Sequence, residues 1–380
     1  MPTAPLIFIV ALLISVLSPT AQAVLPPPPP PRLEARAWIL VDADSGRVIT
    51  SRNADEAAEP ASLTKLMTAY AVFSALREGR IGLGTETTVS ERAWRAGGSR
   101  MFIDVGSQVS IDDLLQGMIV QSGNDASIAL AEAVAGSEET FASLMNQHAQ
   151  SLGMRGSRFL NSAGLPDEGH LVTARDMATL ARAIIGRFPE EYRRYSQRDF
   201  TWNGITQPNR NGLLDRDPSV DGMKTGYTEA AGYCLVSSAE RDGMRLIAVV
   251  MGAKGPKQRE DASLALINYG FNFFETIRLH EAGTALGRAR VFGAEDGQAQ
   301  YGPARDVFYT IPRGRSADVE AAIQLRQGLQ APLAADAPVG KLRLTLDGKL
   351  VAVRNLYPLA AVPQGGIFRR AWDGLAAWLE

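Results

Sequence analysis

Over residues 62–77 apolar side chains return at helical spacing, with Leu63, Leu66, Met67, Tyr70, Val72, Phe73 and Leu76 in the run and Gly79 placed as a C-terminal cap. A helix this apolar is largely buried, so the rest of the chain has to supply its surroundings. Short β-prone runs stand on both sides of it. Residues 36–41 and 47–51 flank the turn-forming stretch 42–46 and read as a hairpin; residues 232–239 and 244–251, joined by 240–243, read as a second. Further helices are expected over 111–120, 125–134 and 138–152, and another from Thr173 as N-cap to residue 185, with Pro189 barring its continuation. A last one covers 258–274. Strands at both ends with helices between them imply an α+β domain over 34–278, one antiparallel sheet packed against a helical cluster.

The pattern changes beyond residue 279. Short strands at 288–292, 307–311, 319–325, 341–346 and 350–354, the last two joined by Asp347-Gly348, read as a small all-β domain over 279–365. Residues 366–380 behave differently again. Ile367, Phe368, Ala371, Trp372, Leu375, Trp378 and Leu379 gather on one side of a helical projection, opposite Arg369, Arg370, Asp373 and Glu380. Such a helix can lie in a membrane interface or pack back on its own protein, and Trp372 and Trp378 favour the interface.

At the other end, the apolar stretch 6–17 is too short to cross a bilayer and is followed by Ala21-Gln22-Ala23, the form of a signal-peptidase site. This reads as a signal peptide over 1–23, with an uncleaved N-terminal anchor as the alternative. The six prolines 26–31 then hold an extended spacer, 24–33, ahead of the folded part. A formal charge of −2 over 380 residues, without basic runs, leaves no electrostatic footprint for nucleic acid. The single cysteine, Cys234, cannot form an internal disulfide and sits in a strand-like run, as a core residue would.

Few groups in this chain can do acid–base chemistry at neutral pH. The three histidines, His148, His170 and His280, are far apart and lack metal-ligand spacing, so no metal or other cofactor is expected. No G-x-S-x-G elbow is present. What remains is Ser62-Leu63-Thr64-Lys65. Residues three apart share a helix face, so Lys65 can reach the Ser62 hydroxyl, and a desolvated lysine beside another cation can lose its proton and act as a base. Alone this pattern is weak. Two further stretches sharpen it: Ser122-Gly123-Asn124 between two helices, and Lys224-Thr225-Gly226 leading toward the strand at Gly232, as a sheet edge bordering a cleft would. In this order the three form the signature set of serine β-lactamases and penicillin-binding proteins, the middle one in a variant form.

With these motifs, and with Asn209-Arg210-Asn211-Gly212-Leu213-Leu214 and Val249-Val250-Met251-Gly252, the chain from about Arg36 onward resembles the low-molecular-mass penicillin-binding proteins with D-alanyl-D-alanine carboxypeptidase activity. The resemblance implies the penicillin-binding and β-lactamase-like fold, a trailing β domain, a terminal anchor helix and an exported protein on the periplasmic face of the cytoplasmic membrane. It implies that Ser62 attacks the penultimate D-alanine of a peptidoglycan stem peptide, with Lys65 as base and Ser122 and Lys224 completing the proton path. Asn124 would hold the substrate amide, Thr225 and Arg259 the terminal carboxylate, and the N–H groups of Ser62 and Tyr227, beside Gly226, the oxyanion. β-Lactams would acylate Ser62. Some members carry histidine where this chain has Tyr227, which bears on deacylation.

Three other readings compete. A class A β-lactamase needs a glutamate that activates the deacylating water, and Ser157 stands where a Glu-x-x-Leu-Asn segment ending at Leu160-Asn161 would place it. A D,D-endopeptidase would use the same nucleophile with a longer leaving group. A non-catalytic wall-binding protein would not need the complete set of polar residues.

Overall fold

The computed structural model describes residues 26–366, so the expected signal peptide and nearly all of the expected terminal helix lie outside the described residues. Strand β1 (Ala37–Asp42) is buried along its whole length and pairs with β2 (Val48–Arg52). The helix expected from residue 62 divides. Residues Ala61–Thr64 form a tight 3-10 turn, and α1 (Lys65–Arg77) begins only at the lysine. Ala61, at φ 47°, turns the chain sharply after Pro60, which keeps the serine out of the regular helix.

Helix α1 is surrounded as its composition demands. Against it pack α3 (Ile111–Val120), α4 (Asn124–Ala135), α5 (Glu138–Ser151) and α6 (Ala174–Arg187), with the short α2 (Glu91–Trp94) on α4 and α7 (Pro189–Tyr192) on α6. The hydroxyls of Ser110, Ser137 and Thr173 cap α3, α5 and α6 by accepting from the N–H groups three residues on. Two small hairpins sit on this side, β3 (Glu86–Thr88) with β4 (Gln108–Ser110) and β5 (Asp199–Trp202) with β6 (Ile205–Pro208). Neither pair has enough alternation to be read from sequence.

After α8 (Leu213–Arg216) the chain forms β7 (Val220–Thr228), β8 (Gly232–Arg241) and β9 (Met244–Ala253), then α9 (Pro256–Phe273). The sheet runs β2-β1-β9-β8-β7, with every pairing antiparallel and β7 at the edge. Alternate residues of each strand serve different layers. Ile39, Val41, Val236, Ile247 and Val249 join the core around α1, while Leu40, Leu235, Leu246 and Val250 pack with Leu266, Ile267 and Phe271 of α9.

The second domain starts without a linker. Strand β10 (Phe274–His280) follows α9 directly and pairs with β13 (Val307–Pro312), so the division placed after 278 falls inside a strand. The others form a sheet in the order β11-β12-β16-β15-β14, with β11 (Gly287–Arg290), β12 (Gln298–Gly302), β14 (Val319–Leu325), β15 (Gly340–Leu346) and β16 (Lys349–Pro358). Asp347 and Gly348 both take positive φ, 51° and 71°, as a tight two-residue hairpin turn requires. No helix among the described residues is long and apolar enough to cross a membrane.

A buried polar joint fixes the two domains together. The Asp42 carboxylate accepts from the Ser45 N–H (2.7 Å), the Ser45 hydroxyl (2.6 Å) and the Thr276 hydroxyl (2.7 Å). Thr310 closes the ring against Ser45 and Thr276, and Arg47 and Arg354 donate across the joint to the carbonyls of Thr310 and Ser45. Removing the carboxylate leaves buried donors unmatched, so Asp42→Ala is expected to cost about 3 kcal/mol, read as a lower urea midpoint. A midpoint equal to that of the unsubstituted protein would show that the joint contributes nothing.

Candidate active site

The turn at 61–64 presents Ser62 at the end of α1, and Lys65, the first residue of that helix, is only 1% exposed. The Lys65 Nζ donates to the Ser62 Oγ (3.0 Å), the Asn124 Oδ1 (2.7 Å) and the Ala163 carbonyl (2.7 Å). All three acceptors are neutral. Burial therefore pushes the amine down from its ordinary 10.5 to about 7, against an opposing pull from Asp125. Once neutral, the amine keeps two protons for Asn124 and Ala163 and turns its lone pair toward the serine O–H. That is the arrangement of a base poised on a nucleophile.

Asn124 opens α4 and is fixed at both ends of its amide, since its Nδ2 donates to the Gly97 carbonyl at 2.6 Å. The preceding Ser122 sits at φ 66°, a left-handed geometry that brings the loop round to the helix start. Asp125, next in sequence, was not singled out from the sequence. Its buried carboxylate accepts from the N–H groups of Met101 (3.0 Å) and Phe102 (2.9 Å), which ties the segment 97–103 to the motif.

The segment 157–170 is the other part that sequence reading missed. Gly164 has φ +81°, and a Cβ there would lie 1.8 Å from the Ala61 carbonyl oxygen, so only glycine lets this loop press against the serine turn. Glu138 accepts from the Ser162 N–H (2.9 Å) and hydroxyl (2.6 Å), and Thr68 donates to the Ser162 carbonyl (2.7 Å). Together they aim the Ala163 carbonyl at Lys65. His170 hydrogen-bonds Thr64 at 3.1 Å, and burial pulls its imidazole down to about 4, so it is neutral and structural. The only signal for this loop in the sequence is Asn161-Ser162-Ala163-Gly164, an ordinary turn composition.

On the sheet side, Gly226 is what permits contact. A Cβ at this position would meet the Pro60 carbonyl oxygen at 3.1 Å and the Ser62 nitrogen at 3.2 Å, so the edge strand β7 lies against the serine turn. Burial drives the Lys224 amine far below its ordinary range, and the charges of Lys65, Arg259 and Arg210 push the same way. Two buried amines this close disfavour a double positive charge. The hydrogen-bonded cluster is narrower than expected. Lys65, Ser62 and Asn124 are joined directly, whereas Lys224 donates only to the Thr225 carbonyl (3.2 Å) and the Ser122 hydroxyl has no hydrogen-bond partner among the described residues. Ser62, Asn124 and Ala163 take all three donor positions of a Lys65 ammonium, which leaves none for Ser122.

Thr225 is buried beside Lys224, and Arg259, in the first turn of α9, is 8% exposed. The Arg259 Nη1 donates to the Gly226 carbonyl at a long 3.4 Å, and its buried Nε has no partner among the described residues. Tyr227 is 52% exposed and stacks on Tyr233. All nine residues singled out from the sequence thus fall at the junction of α1, α4, the edge strand and the start of α9.

Residues 22–255 match the profile of the D-alanyl-D-alanine carboxypeptidase family, peptidase S11. The chain belongs to that family. Residues 274–364 match the profile of the penicillin-binding protein 5 C-terminal domain. Among curated S11 proteins, the D-alanyl-D-alanine carboxypeptidase DacA of Haemophilus influenzae is 43% identical over 90% of this chain and 89% of its own. DacC of Escherichia coli is 44% identical over 94% of this chain and 91% of its own. In three dimensions, penicillin binding protein 5 from Haemophilus influenzae superposes with a TM-score of 0.83 at 44% identity, covering 88% of this chain and 99% of that one.

Because the S11 chain contains only six lysines, their side chains can be followed individually by carbon-13 NMR. The Lys65 resonance, assigned with Lys65→Met, is expected to titrate near 7, losing its proton as the pH rises through that value. A midpoint at the ordinary lysine value of 10.5 would mean that the amine is charged at neutral pH.

Proposed function

We propose that this chain removes the terminal D-alanine from peptidoglycan pentapeptides through an acyl-enzyme on Ser62. The observation that carries the mechanism is the Lys65 amine, buried, close to neutral and 3.0 Å from the Ser62 oxygen. The amine takes the hydroxyl proton as the Ser62 Oγ bonds to the carbonyl carbon of the penultimate residue. The oxyanion that forms is received by the N–H groups of Ser62 and Tyr227, which Gly226 allows to converge. Collapse breaks the peptide bond, and the leaving amine takes the proton that Lys65 accepted from Ser62; Ser122 and Lys224, not hydrogen-bonded to Lys65 in the free protein, would join that path only once substrate is bound. Water then adds to the ester, the serine leaves with a proton, and the free enzyme returns. Thr225 and Arg259, whose guanidinium is poorly engaged in the free protein, would hold the terminal carboxylate. Asn124 orients Lys65 and reaches substrate by exchanging its bond to Gly97.

β-Lactams would follow the first half of this path and stop at the ester. Penicillin-binding protein D2 from Listeria monocytogenes, 30% identical, is known in ampicillin-bound and cefotaxime-bound forms. A lactamase reading lacks support at the position where a deacylating glutamate would stand. Ser157 is there, and its hydroxyl donates to Asp176 at 2.7 Å.

Replacing Ser62 with Ala is expected to reduce D-alanine release from a pentapeptide at least ~1,000-fold and to abolish covalent labelling by fluorescent penicillin. Labelling that persists in Ser62→Ala would remove this serine from its role. Rapid turnover of penicillin by the unsubstituted protein would favour the lactamase.

We also propose that the protein is exported and held at the periplasmic face of the cytoplasmic membrane by residues 366–380. The support is the apolar stripe with two tryptophans in that segment and the signal-like segment 1–23. Deleting 366–380 is expected to move the protein from the membrane to the soluble fraction with its peptidase activity intact. Unchanged partitioning contradicts the anchor.

A further inference from the structure

Within the edge-strand motif, only Tyr227 offers a side chain to solvent, since Lys224 and Thr225 are buried and Gly226 has none. The ring is held in place. It stacks on Tyr233, its register partner on β8, with centroids 4.3 Å apart and an interplanar angle of 29°. Tyr233 in turn lies under the Arg259 guanidinium, 5.6 Å from the ring centroid. Thr225 and Tyr227 are two residues apart on one strand, so they point to the same face about 7 Å from each other. An exposed, prepositioned aromatic ring therefore borders the place where Thr225 and Arg259 would seat a carboxylate.

We infer that the Tyr227 ring is the contact surface for the side chain of the residue released, and that it admits D-residues with flat aromatic side chains as leaving groups alongside D-alanine. The inference rests on the carboxypeptidase reading above. A carboxylate held between Thr225 and Arg259 fixes the terminal residue over the face that carries Tyr227. A methyl group there covers little of the ring. An aromatic side chain covers much more and can take the offset stacking that such rings favour. Backing by Tyr233 lowers the entropy lost on contact, because the ring is already ordered.

Two peptides identical up to the penultimate D-alanine, one ending in D-alanine and the other in D-phenylalanine, form the same acyl-enzyme. Their kcat/KM ratio thus reports acylation and leaving-group contact without any contribution from deacylation. The unsubstituted protein is expected to release both residues. Tyr227→Ala is expected to lower the D-phenylalanine to D-alanine ratio about fivefold or more, Tyr227→Phe to keep it within about twofold, and Tyr233→Ala to lower it in the same direction. Taking the ratio within each variant cancels any loss of folded protein, and it leaves the backbone N–H of residue 227 common to all. A ratio unchanged in Tyr227→Ala overturns the inference, as does an unsubstituted protein that releases D-alanine but no D-phenylalanine. Release of neither residue overturns the carboxypeptidase reading, and this inference with it.

Discussion

A lysine amine removed from water and given only neutral partners is the constraint around which this molecule is organised. An ammonium buried among a serine hydroxyl, an amide oxygen and a peptide carbonyl has no countercharge in contact, and the protein relieves the cost by letting the proton go near neutrality. Each acceptor belongs to a different part of the chain. Ser62 comes from the turn ahead of α1, Asn124 from the start of α4, and Ala163 from the loop before α6. Three separate elements must therefore be brought to one point and kept there, and much of the structure between residues 37 and 273 serves that end.

The holding devices are themselves buried and polar. Asp125 gathers the backbone N–H groups of the 97–103 segment, Glu138 grips Ser162, and Gly164 lets the loop approach the serine turn. None of these groups reaches the nucleophile. Their common effect is to fix the acceptors around Lys65.

How much of this could be read from sequence depended on range. Features governed by near neighbours were legible: the apolar periodicity of α1, the hydroxyl cap at Thr173, the Asp347-Gly348 turn, and the three motifs whose internal spacing already implies a shared face. The edge position of β7 was also expected, because the lysine motif reads as a strand beside a cleft. Features governed by distant partners were not legible. Nothing within a few residues of Ala163 shows that its carbonyl meets an amine 98 positions earlier, and Asp125 reads as an ordinary acidic residue in a first helical turn until the 97–103 loop is seen folded over it. Strand β12 has too little alternation to stand out, and the apolar pattern puts the start of α1 three residues early because the tight turn at 61–64 shares it.

The pairing of β1 with β9 sets the order in which these parts can come together during synthesis. Ile39 lies opposite Val249, so the first strand of the main sheet has no inner neighbour until more than two hundred further residues have left the ribosome. Contacts of such long range are slow to close. The serine turn at 61–64, which follows that hairpin in sequence, is made early and can meet its neighbour β7 only after residue 228 has been added. A nascent chain carries Ser62 for about half of translation before β9, which closes the main sheet, is complete.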